Sequence, residues 1–89
     1  MPRRPDELRP RLADGALLRH DDVRDVDVLL LPERVVTLNP TGRAILQLCD
    51  GSRTLAEICE LLERRYSGAA VTADVAAFVD AGTQNGLLR

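Results

Sequence analysis

Pro32-Glu33-Arg34-Val35-Val36-Thr37-Leu38-Asn39-Pro40-Thr41 is the stretch that decides the fold. Pro32-Glu33 interrupts an apolar run. Arg34 to Leu38 then resumes it with β-branched residues, which suit a pleated, half-buried surface. At Asn39 the period changes. Asn is a good helix cap, and Pro fits the first helical position because its missing N–H would have no intrahelical acceptor there. A strand therefore hands over directly to a helix at residue 39.

Working back from this junction, Val26, Val28 and Leu30 alternate with Asp25, Asp27 and Leu29, the period of a strand. Before them Ala16-Leu17-Leu18-Arg19 is short and apolar and ends at the turn signal Asp21-Asp22. Three short strands joined by tight turns read as an antiparallel meander. The alternation puts Asp25 and Asp27 on a solvent face. Working forward, Ala44, Ile45 and Leu48 mark one face of a first helix, which Asp50-Gly51 stops. Thr54-Leu55-Ala56-Glu57 is a capping box, followed by Leu55, Ile58, Cys59 and Leu62 at helical spacing. Thr72 reads as the cap of a third helix, with Asp74 in its first turn and Val75, Phe78 and Val79 as its apolar stripe. Gly82 weakens the end of that helix, and Leu87-Leu88 pin the terminus to the core. Residues 1–10 hold Pro2, Pro5 and Pro10 among charges and read as a flexible leader, with the domain over 11–89. The fold class is α+β: a three-stranded antiparallel meander followed by a three-helix bundle.

Eighty-nine residues make one domain with room for few deep pockets. The 12 basic residues, all Arg, face 14 acids, so the net charge of −2 lacks the basic field that duplex DNA binding needs. Two aromatic residues, Tyr66 and Phe78, give no stacking platform for single strands. Cys49 and Cys59 stand ten apart without a CxxC pair, so no zinc site is expected, and two free thiols suit a reducing, cytoplasmic setting. His20 has Asp21, Asp22 and Asp25 after it but no nucleophile nearby. The acids Asp21 to Asp27 lack the spacing of a calcium loop. No signal peptide or membrane span is read. No catalytic set converges, and neither a metal nor a cofactor is called for. Binding remains: a meander in strand order 1-2-3 leaves Arg34–Leu38 as an edge with unpaired N–H and C=O groups. Either a peptide adds there as a fourth strand, or a helix or loop covers it.

Arg9-Pro10-Arg11-Leu12-Ala13, the run Pro32 to Thr41, and Ile45-Leu46-Gln47-Leu48-Cys49-Asp50-Gly51 closely resemble the PqqD family, of pyrroloquinoline quinone (PQQ) biosynthesis. Thr54 to Ile58, Val71 to Val75 and Gly86-Leu87-Leu88 match as well, so the resemblance spans about residues 9–88. It implies a winged-helix-like fold and a peptide chaperone, the recognition element for a ribosomally made precursor peptide (PqqA), which is presented to a radical S-adenosylmethionine enzyme (PqqE) that cross-links a Glu and a Tyr. Carried over by position, it implies a groove with Glu33, Arg34, Val35, Val36, Thr37 and Leu38 on one side and Asp74, Val75, Phe78 and Val79 on the other. Asp80 to Asn85 departs from the family pattern, which predicts a third helix frayed or bent beyond Val79. Relatives acting on other modified peptides share the pattern. The alternative from a different class, a winged-helix nucleic-acid binder, is disfavoured by Asp74 and Asp80 on the third helix. Phe78 has two readings, core plug or groove floor. Short hinges allow a monomer or a domain-swapped dimer.

Overall fold

The computed structural model describes residues 8–66 and 71–89. Three strands, β1 (Leu17–Asp21), β2 (Val26–Leu30) and β3 (Val35–Leu38), precede three helices, α1 (Pro40–Leu48), α2 (Leu55–Arg65) and α3 (Val71–Gln84). The strands form one antiparallel sheet in the order β1-β2-β3. The α+β meander-then-helices reading therefore holds.

The local signals at the junctions act as their chemistry dictates. Asn39 Oδ1 accepts from the Gly42 N–H at 2.7 Å, with Pro40 next in the first turn of α1. At α2 the Glu57 N–H donates to Thr54 Oγ1 at 3.1 Å, and the Thr54 N–H donates back to the Glu57 carboxylate at 2.9 Å. Such reciprocal caps satisfy N–H groups that the helix cannot pair internally. The first hairpin differs from its reading. Asp21 belongs to β1, and its carboxylate accepts from the Val23 and Arg24 N–H groups at 3.0 and 3.2 Å, so the turn falls over residues 22–25.

Leu29, Ile45, Leu46 and Ile58 are among the residues that centre the core, with Val75 from α3. Each fully buried aliphatic side chain contributes about 1.5–3 kcal/mol. Leu29 at 0% exposure fixes the sense of β2: Asp27, Leu29 and Leu31 face the helices. This corrects the placing of Asp27 on a solvent face. Its side chain is only 17% exposed and pairs with Arg43 on α1 and with His20 Nδ1 at 2.9 Å. The pull of Leu29 and Leu31 inward carries Asp27 with it, and the ion pairs offset the cost of its partial burial. The opposite face of the sheet carries Val28 and the row Leu17, Leu30, Val35.

Two further readings change. Leu8, Arg9 and Pro10, part of the expected leader, are bonded into the fold: Leu8 O accepts from the Leu55 N–H at 2.8 Å and Pro10 O from Gly51 at 3.0 Å. The other seven residues of that segment lie outside the described residues. Helix α3 stays helical to Gln84 rather than fraying beyond Val79. Gly82 is buried, and a Cβ there would stand 3.1 Å from Leu88 Cδ1. The glycine admits the returning C-terminal leucines, and the Leu87 N–H donates to Gly82 O at 2.8 Å. The cost of a helical glycine, roughly 1 kcal/mol, is met by that packing. Thr72 sits inside the first turn of α3 and bonds Glu63 on α2, so it is not the cap.

His20 also meets Asp25 through Nε2 at 3.1 Å. The Asp27 hydrogen bond, then that of Asp25 and the charge of Asp22, raise the His20 pKa above 6.5 against the opposing effect of desolvation. The bond from His20 and then Arg43 lower Asp27 below 3.8. A raised histidine stabilises fully below its unfolded value and loses this as pH rises through the folded one; a lowered aspartate does the reverse. The pair thus contributes fully between pH 3.8 and 6.5. A titration of the His20 ring followed by NMR should have its midpoint above 6.5, and Asp27→Asn should lower it; an unshifted midpoint in the parent would disprove the pairing. Burial pushes the Cys49 thiol up to about 12 and raises that of Cys59 less. Both thiols should resist maleimide in the native state and react on unfolding, as read by mass spectrometry.

Candidate functional site

A two-residue turn, Pro32-Glu33, joins β2 to β3, and the flanking residues bond reciprocally. The Leu31 N–H donates to Arg34 O at 2.8 Å and the Arg34 N–H donates to Leu31 O at 3.4 Å. Bonded and non-bonded pairs alternate along an antiparallel ladder. With Leu29 opposite Val36 and Asp27 opposite Leu38, the backbone groups of Arg34, Val36 and Leu38 point at β2. Those of Val35 and Thr37 point the other way, to the open edge. No other described segment pairs with that edge. The edge offers two N–H donors and two C=O acceptors.

The side chains follow the opposite rule. Val36 is half-buried and Leu38 buried, both toward the helices, whereas Val35 lies on the outer face at 61% exposure, with Thr37 beside it. Glu33 is exposed in the turn and sits 3.6 Å from Arg34 Nε. Arg34, on the inward side, donates to the carbonyl of Asn85 at the end of α3. That bond ties the start of β3 to the end of α3.

On α3, Asp74 is exposed and Phe78 half-buried. The Phe78 ring lies over Gly42 of α1: a Cβ at Gly42 would meet Phe78 Cε2 at 3.1 Å and Asn39 Oδ1 at 3.2 Å. Val75 and Val79, at 1% and 6% exposure, belong to the core. Of the ten candidate residues, Val35 and Thr37 turn their backbone to the open edge, Arg34 ties the start of β3 to the end of α3, Val36 and Phe78 are half-buried against the core, and Asp74 is exposed on α3.

Asn85 and Gly42 escaped the sequence reading. Gly42 carried a signal, since a glycine three residues into a capped helix marks a close approach. Asn85 acts through its carbonyl, which no residue type reveals. Elsewhere, Asp50 accepts from the Ser52 hydroxyl at 2.6 Å and the Ser52 N–H at 2.9 Å, which lower its pKa. It is a turn residue beside Arg53. Among the described residues no group of three His, Cys, Asp or Glu is arranged to hold a metal ion.

Comparison with known proteins bears on this edge. The profile of the family described as Coenzyme PQQ synthesis protein D (PqqD) matches residues 28–88. A PqqA binding protein of Methylococcus capsulatus is 35% identical over 83 residues, covering 93% of this chain and 85% of the relative. One from Xanthomonas euvesicatoria is 41% identical, covering 91% and 90%. The solution NMR structure of the PqqD truncation of Methylobacterium extorquens PqqCD is described as a functional, stand-alone recognition element for a ribosomally synthesized and post-translationally modified peptide. It superposes with a TM-score of 0.74 at 34% identity, covering 96% of this chain and 97% of that one. The family match over the β2-to-C-terminus core, together with the shared fold, shows that this chain belongs to the PqqD family.

Proposed function

We propose that the chain binds a PqqA-type precursor peptide as a fourth strand on β3 and presents it to the radical S-adenosylmethionine enzyme of PQQ biosynthesis, with no turnover of its own. The observation that carries this reading is the open edge at Val35 and Thr37, in a family whose relatives include proteins named PqqA binding protein. An added strand bonds through its backbone, which gives affinity with little regard to sequence. Its inward side chains meet Val36 and Phe78, which select apolar residues. Its outward ones lie beside Val35 and Thr37.

The adaptor role is supported by what the polar groups already do. Asp27 and His20 serve each other, Asp50 serves a turn, and Glu57 serves a cap. The buried thiols are held protonated, against any nucleophilic use. Free, buried cysteines suit the cytoplasm, and no helix in the described residues is long and apolar enough to cross a membrane. Asp74 and Asp80, both exposed along α3, repel a phosphate backbone and weigh against nucleic acid.

Titration of a labelled synthetic PqqA peptide tests the reading. Val35→Pro and Thr37→Pro each remove an outward N–H and should weaken binding by at least about 1 kcal/mol while circular dichroism stays native. Val36→Pro removes a bond to β2 and should unfold the hairpin instead. Native binding by both outward variants would sink the added-strand mode. Phe78→Ala should cost less stability than the roughly 3–5 kcal/mol of a fully buried ring, yet weaken the peptide by about 1–2 kcal/mol. Denaturant melts and the same titration decide between floor and plug. Incubating chain and peptide with S-adenosylmethionine and reductant, without the radical enzyme, should leave the peptide mass unchanged.

A further inference from the structure

Roughly half a turn round α3 from Phe78, Ala76, Asp80 and Thr83 face a second concavity of about 570 Å³, which peptide binding at β3 does not use. Its wall is built by both ends of the described chain. Arg11 and Arg89 exchange backbone bonds at 3.2 and 2.8 Å, and Leu8 is bonded to the start of α2. Arg9, Arg11 and Arg89 stand around a floor of Leu55, Ala76 and Val79. One carboxylate, Asp80, faces them from the lining. Arg9 donates to Ser52 O at 2.7 Å, near Glu57, and Arg89 pairs with Asp14. Arg11 has no side-chain partner among the described residues. The lining itself sets three guanidiniums against one carboxylate above an apolar floor, with Asp14 and Glu57 just outside it.

We propose that this concavity docks the enzyme that receives the peptide, through a segment in which aspartate or glutamate is flanked by apolar side chains. The proposal rests on the peptide-carrier reading, because a carrier must hold cargo and recipient together. Cargo and recipient then sit on opposite faces of one helix and share no side chain. Guanidinium forks take carboxylates bidentately, and their stems cover apolar surface, so this wall fits an acidic and apolar segment better than either kind alone. The net positive lining would also raise the encounter rate with an acidic surface.

Biolayer interferometry with the full chain tests it, using the pathway's radical S-adenosylmethionine enzyme and, separately, the synthetic PqqA peptide. Arg11→Glu changes the rim and Ala76→Glu the floor. Each should weaken the enzyme by roughly tenfold or more, leave the peptide within about twofold, and keep a native circular dichroism spectrum; Arg11→Lys should retain most of the enzyme affinity. Binding of the parent to the enzyme should fall between about 50 and about 300 mM NaCl. Val35→Pro should show the opposite pattern, with the peptide weakened and the enzyme bound as before. Folded Arg11→Glu and Ala76→Glu proteins that bind the enzyme like the parent would overturn the proposal and leave the peptide reading standing. Loss of peptide rather than enzyme in those variants would overturn it by assigning the concavity to the peptide. A parent that binds the enzyme but no peptide would overturn the carrier reading and this proposal with it.

Discussion

The reciprocal hydrogen bonds between Leu31 and Arg34 set the phase of β3. A two-residue turn admits one register, and the register decides which backbone groups bond to β2 and which face outward. Had the turn one residue more, Val36 and Leu38 would turn their amides to the edge and their side chains away from the core. The same phase sends the Arg34 side chain inward, where it reaches the Asn85 carbonyl and brings the strand to the end of α3. The edge, the inward apolar pair and the spacing from α3 are three expressions of one constraint.

Helix α3 is held from both sides. Gly42 lets α1 come within contact of Phe78, and Gly82 lets Leu88 return against the helix. Two glycines inside helices, each unfavourable alone, thus exchange intrinsic propensity for close packing.

The meander, the two capped helices and the edge strand were legible because each rests on a local signal: the Pro32-Glu33 break, Asn39-Pro40, and Thr54 with Glu57. The facing of β2 was not. Val26, Val28 and Leu30 read as the buried set, but Leu29 and Leu31 won, and no local rule weighs two leucines against three alternating apolar residues. The persistence of α3 past Val79 was not legible, because the partner of Gly82, Leu88, becomes its neighbour only after the chain turns back. Val75 and Val79 were assigned to a groove by position in a family pattern, although their own spacing with Leu55, Ile58 and Leu62 on α2 points to the core. The arginine-rimmed concavity was illegible because Arg9, Arg11 and Arg89 come from opposite ends of the sequence.

The backbone pairing of Arg11 with Arg89 has a topological consequence. The segments leading in and out of the domain run side by side on the far side of α3 from Phe78. A host protein could receive the whole unit at a single surface loop, with both connections made at one place. The free edge of β3 would then project outward from the junction, unobstructed by the graft. Tethering through either terminus leaves that edge equally exposed. The fold is therefore portable, since its two attachment points lie side by side.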